Sequence, residues 1–154
     1  PVLAGQTARA AYGGLAMETV PALDGNALRT AREVACLSQN ELAKLVGLAG
    51  GGRVSRWERG EARPRSPQLL HSVARALGVD ARDLLVPEEE PSLRWLRFAA
   101  GVSVTELAAG MQCAVSTVKR WEAQGLAAPS EALVANLANV LGTSHDRVRR
   151  ALRS

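Results

Sequence analysis

Cysteine is scarce in this chain of 154 residues: Cys36 and Cys113 are the only two, with no CxxC or Cys/His companion spacing. That excludes a disulfide framework and a zinc cluster, and leaves them as small packing residues in a reducing compartment. His71 and His145 lack a plausible set of metal ligands around them, so neither a metal nor a cofactor is expected. Paired carboxylates, a nucleophile and base set, and a phosphate-cradling motif are missing too, which argues against an enzyme. No stretch approaches the ~20 apolar residues of a membrane span, and the start carries no basic patch followed by an apolar run. The expectation is a cytoplasmic protein without a membrane partner. Strand signals are absent as well. Lysine is almost missing, with Lys44 and Lys119 against seventeen arginines, a hint of a GC-rich bacterial genome on which nothing functional rests.

What the chain does have is a repeat of itself. RVSRWERG at 53–60 is echoed by TVKRWEAQ at 117–124. At an offset of 65, Leu28, Arg29, Arg32, Ala35, Ser38, Glu41, Leu42 and Ala43 match Leu93, Arg94, Arg97, Ala100, Ser103, Glu106, Leu107 and Ala108. At an offset of 64, Val54, Arg56, Trp57, Glu58, Ser66, Leu69, Ala74, Leu77 and Gly78 match Val118, Arg120, Trp121, Glu122, Ser130, Leu133, Ala138, Leu141 and Gly142. The first copy therefore holds one extra residue between Leu42 and Val54, where Gly50, Gly51 and Gly52 stand. Two copies of one small domain account for almost the whole chain, each about 60 residues long and able to fold with a modest helical core.

Charge follows the repeat. Residues 24–86 carry ten basic and seven acidic side chains and residues 92–154 eight and four, while Glu88, Glu89 and Glu90 lie between them, within a net charge of +4. Two basic units around an acidic spacer favour nucleic acid.

Along the chain, residues 1–23 hold no sustained period and read as a flexible arm. A disordered tail fits it better than a minor-groove arm, since Arg9 is its one basic residue. The first domain spans 24–86. Asp24 or Asn26 can cap a helix through Cys36, with Leu28, Ala31 and Ala35 on one face. SQNE at 38–41 and SVTE at 103–106 are capping boxes that open the second helix of each copy, carrying Leu42, Leu45 and Val46 in one and Leu107 and Met111 in the other. In the third helix, Val54 and Trp57 lie three apart and share the inward face, leaving Arg53, Ser55, Arg56 and Arg59 free. A fourth helix starts after Ser66 and stops at Gly78, mirrored by one from Ser130 to Gly142. Short fifth helices follow Asp80, over 81–85, and Ser144, over 145–152. The linker PEEEP at 87–91, broken by proline at both ends and self-repelling, should stay extended, and the second domain spans 92–154.

These residues together resemble the Cro and phage-repressor family of helix-turn-helix domains, the XRE type. The likeness rests on LRTAREVACLSQNELAKLVGL, VSRWERGEARP and LLHSVARALGVDARDLL in the first copy. In the second it rests on LRWLRFAAGVSVTELAAGM, STVKRWE and LVANLANVLG, and it covers about 120 of the 154 residues. The fold it implies is all-α: two tandem five-helix lambda-repressor-like DNA-binding domains. It implies that the third helix enters the major groove and that the second begins on a phosphate. Base-facing positions then fall on Arg53, Ser55 and Arg56 in one copy and Val115, Ser116, Lys119 and Arg120 in the other. Phosphate positions fall on Gln39, Gly50, Gly51, Gly52, Arg59, Arg63, Arg65 and Thr117. Arg56 and Arg120 are the strongest, because a guanidinium bonds bidentately to guanine, whereas Val115 suits a thymine methyl. The likeness also implies internal ion pairs, Arg32 with Glu58 and Arg97 with Glu122, and core places for Trp57 and Trp121.

Two departures bear on function. Three glycines and an insertion stand where the family begins its recognition helix. They form either a turn whose amides approach phosphate or a degenerate reader. Val104 replaces the family's glutamine, so the second copy loses one phosphate contact. The expectation is a sequence-specific double-stranded DNA-binding protein, a bacterial transcriptional regulator associated with the nucleoid, with a homodimer or the transcription machinery as further partners. Five linker residues reach at most about 17 Å, compatible with adjacent major-groove faces roughly 34 Å apart and with an asymmetric or direct-repeat site. The alternative is a protein-interaction module, an antitoxin or adaptor, with weak or non-specific DNA binding.

Overall fold

The computed structural model describes residues 20–153. The order is α1 (Gly25–Val34), α2 (Gln39–Leu45), α3 (Gly52–Glu58), α4 (Pro67–Leu77), a 3-10 helix (Ala81–Leu84), α5 (Leu93–Ala100), α6 (Val104–Met111), α7 (Val115–Gln124), α8 (Glu131–Leu141) and α9 (His145–Arg153). Each start has a local cause. Asp24 accepts the Ala27 amide at 3.0 Å, Ser66 that of Leu69 and Ser130 that of Leu133. Ser38 with Glu41, and Ser103 with Glu106, close reciprocal capping boxes. Stops are as local: Gly78 and Gly142 adopt φ of 69° and 61°, which only glycine takes without strain.

Each half buries its own aliphatic centre. Leu28, Leu42, Val54, Trp57 and Leu70 fill the first, and Leu93, Leu107, Val118, Trp121 and Leu137 the second, each at most 6% exposed. The two do not hang from a spacer. Helix α5 packs on α4 and on the 3-10 helix, Trp95 donates its indole N–H to the Val86 carbonyl at 3.1 Å, and Pro91 is buried. The His71 ring nitrogen Nε2 meets the Ala99 carbonyl at 3.1 Å. Gly101 comes so close that a Cβ there would sit 2.6 Å from the His71 ring. The acidic linker therefore does not keep the units apart: repulsion among three solvated glutamates is weaker than burial of Trp95 and Phe98.

Other expectations change at the edges. The flexible-arm assignment is corrected for residues 20–23: Leu23 bridges Leu85, the Val86 amide donates to Ala22, and Arg63 donates to the Val20 carbonyl at 2.7 Å. The rest of the arm, with Arg9, lies outside the described residues. Helix α1 ends at Val34, because Cys36 turns to φ 58°. The first copy's fifth helix is a 3-10 turn. Leu45 is not a core residue: it is 62% exposed, while Leu42 and Ala43 are the buried residues of α2 and Val46, just after it, is half-buried.

Candidate nucleic-acid interface

Helices α2 and α3, and α6 and α7, pack against each other as helix-turn-helix pairs. Burial decides which face of the third helix is left over. In α3, Val54 and Trp57 are at most 1% exposed, and in α7 Val118 and Trp121 at most 6%. Arg53, Arg56 and Arg59, and Ser116, Lys119 and Arg120, are therefore turned outward, with Ser55, Val115 and Thr117 half-buried at the margin.

The end of each third helix is tied to the first helix by a buried carboxylate. Glu58 receives Arg32 through Nε at 2.6 Å and Nη2 at 3.0 Å, and Arg29 Nε at 3.2 Å. Glu122 receives Arg97 at 2.5 and 3.1 Å and Arg94 Nε at 3.1 Å. Arg32 and Arg97 also donate to the carbonyls of Leu37 and Val102, so each holds the turn before the second helix. The carboxylate side chains are fully buried, which is costly unless every lone pair is met. Burial pushes the Glu58 carboxyl up, but the hydrogen bonds from Arg32, Gln39 and Arg29 outweigh it and hold it below its ordinary range. Its hydrogen bond in turn raises Arg32. Arg29 and Arg94 are partners beyond the expected pairs. Their signal in the sequence is that they match at the same offset and precede Arg32 and Arg97 by three, one face of the same helix.

Several expected phosphate groups have other work in the chain. Gln39 donates its amide to Glu58 Oε1 at 3.2 Å, joining the buried cluster. Val104 at the matching place has no side-chain amide to make such a bond. The Gly51 amide donates to Asn40 Oδ1 at 2.8 Å and is buried, so it does not lie open to a phosphate. A Cβ on Gly51 would fall 2.6 Å from that oxygen and 2.9 Å from the Asn40 nitrogen. This glycine is needed for close packing of the turn on α2. Gly50 and Gly52 face open space. The insertion can be placed too: Leu48 donates to Ala43 as Cys113 does to Ala108, so the extra residue falls after Leu48. Arg63 is spent on Val20. Arg59 pairs at 3.2 Å with Glu61, a half-exposed contact worth under about 1 kcal/mol and easily given up. Arg53 folds back, its guanidinium 5.9 Å from the Trp57 ring centre. Arg56, Arg65, Lys119 and Arg120 are exposed and form no ion pair among the described residues.

Chemically this is an outward cationic helix face held at a fixed angle by a buried carboxylate, twice over. Among the described residues no group of His, Cys, Asp or Glu is placed to hold a metal, and no helix is long and apolar enough to cross a membrane. No curated protein and no solved structure matches the chain. A family model, that of the helix-turn-helix domain, matches residues 25–85 and again residues 92–152. Two matched copies, each with a helix pair and an outward third helix, mean that the chain belongs to the helix-turn-helix domain family, a DNA-binding class.

Proposed function

We propose that the chain is a sequence-specific reader of double-stranded DNA, a bacterial transcriptional regulator whose two units make unequal contacts. The observation that carries this reading is the pairing of buried Val54, Trp57, Val118 and Trp121 with exposed Arg56, Lys119 and Arg120, in no ion pair among the described residues, on the opposite faces of α3 and α7. Arg56 and Arg120 read base edges, Ser55, Ser116 and Val115 flank them, and Arg53 joins on leaving Trp57. Arg59, Arg65 and Thr117, with the amides near Gly50 and Gly52, hold phosphates and set the register. Gln39 donates one amide hydrogen to Glu58 and keeps a second for a phosphate at the start of α2. The second unit lacks that contact and offers the richer base-facing set. The first grips and the second reads, which makes an asymmetric site the natural target.

Selection of a randomised duplex library by the full chain near physiological salt tests this. A two-part motif is expected. Arg120→Ala should relax one part by about 1–3 kcal/mol of base discrimination, with a smaller loss for Arg56→Ala. Binding without any enriched motif, fading only as salt rises, overturns the reading.

A further inference from the structure

The contact between the two units is heterologous: helix α4 of the first lies on α5 and the start of α6 of the second. His71 meets Ala99 and Gly101, and Gln68 donates to Glu106. Because the units are copies, the chain carries both sides of this contact twice. One copy of each side is used within the chain, and one of each is left over. The unused receiving face is on α1 and α2. Val34 stands where Ala99 stands, Cys36 where Gly101, Leu37 where Val102 and Glu41 where Glu106. Val34 there is 78% exposed and Leu45 at the end of α2 62%, the two most exposed large aliphatic side chains among the described residues, and Leu37, Glu41, Lys44 and Leu45 line a hollow of about 290 Å³. The unused donating face is on α8, where Ala132 and Ala135 stand where Gln68 and His71 stand on α4.

The two spare faces also exchange size. Within the chain a bulky histidine fills the space left by alanine and glycine, whereas at the spare faces a small alanine, Ala135, would meet Val34 and Cys36. We infer that the α1–α2 face of one chain receives helix α8 of a second copy, repeating between molecules the contact that joins the two units within one. Thr30 and Glu33 replace the buried Trp95 and Phe98 on this face, so the contact between chains is weaker and more polar than the one within. Arg147 and Arg150 on α9, neither in an ion pair among the described residues, offer Glu33 an opposite charge. A head-to-tail contact of this kind extends into a ring or an open row rather than stopping at a symmetric pair.

Sedimentation of the full chain without DNA, across a range of concentration, tests this apart from any reading of DNA. The mean mass is expected to climb above 16.3 kDa as concentration rises. Val34→Asp, and Ala132→Glu, which sets a carboxylate opposite Glu41, should each weaken self-association at least tenfold, with the helical circular dichroism retained because both sites are exposed. Ala132→Gln, which restores the partner that Gln68 gives Glu106, should shift association to lower concentration. An equimolar mixture of Val34→Asp and Ala132→Glu keeps one intact face of each kind and should stop at twice the monomer mass. A wild-type chain that stays monomeric throughout overturns the proposal. So does Ala132→Glu associating like wild type, the mark of a symmetric contact, or a mixture that recovers nothing.

Discussion

Helices α1 and α5 occupy the same place in their units, yet α1 buries only Leu28 completely while α5 buries Leu93, Trp95, Leu96, Arg97, Phe98 and Ala99. The inner face is shared: Leu28 and Leu93 point to the core, and Arg29, Arg32, Arg94 and Arg97 point to the carboxylate. The outer face differs, Thr30, Glu33 and Val34 against Trp95, Phe98 and Ala99. The second copy carries an additional apolar surface, which the first unit covers. A helix is thus specified by two sets of contacts, those within its unit, which the repeat preserves, and those outside it, which the repeat does not.

The largest expected effect breaks what the units share. Glu58→Ala leaves buried arginine charge without its partner and should cost about 3–5 kcal/mol in denaturant unfolding. A loss under about 1 kcal/mol would mean that the cluster is solvated in solution. Next comes what they do not share. Trp95→Ala should cost about 3 kcal/mol and split thermal unfolding into two transitions by calorimetry, while Thr30→Ala at the matching place should stay within about 0.5 kcal/mol. Equal effects would erase the contrast between α1 and α5. The glycines give a smaller difference, of opposite sign: Gly51→Ala, against the Asn40 backbone, should destabilise by about 1–3 kcal/mol, and Gly52→Ala, in open space at the start of α3, should stabilise by up to about 1 kcal/mol. The same ordering in melting temperature would check it.

Acid provides the gentlest probe. The Glu58 carboxyl titrates below its ordinary range in the folded chain, so it binds fewer protons there than in the unfolded one. Its stabilising share is complete above the unfolded value of about 4.3 and fades as pH falls through the lower folded value. Unfolding followed below pH 5 should therefore be less steeply pH-dependent in Glu58→Gln than in wild type, since the glutamine has nothing to titrate.

Much of this was written locally. Ser38 and Glu41, Ser103 and Glu106, Gly78 and Gly142 each act within a few residues, so their caps and stops are legible in the chain itself. The inward set of Val54, Trp57, Val118 and Trp121 follows from helical period, and with it the outward set that holds Arg56 and Arg120. What period cannot show is competition for a group already placed. Gln39, Arg63 and the Gly51 amide all suit a phosphate by position. In the fold, Glu58, Val20 and Asn40 lie within hydrogen-bond reach of them. Those partners are 19, 43 and 11 residues away.

The sequence by itself determined the helices, their order, their duplication and the face each third helix turns outward, because caps, glycine stops and 3.6-residue periodicity act over a turn or two of chain. Only the tertiary structure decided that the two units touch, that residues 20–23 are held, and that Leu45 and Val34 face solvent. Each of these depends on which apolar surface finds a neighbour, a matter settled by shape and burial between segments far apart in the chain.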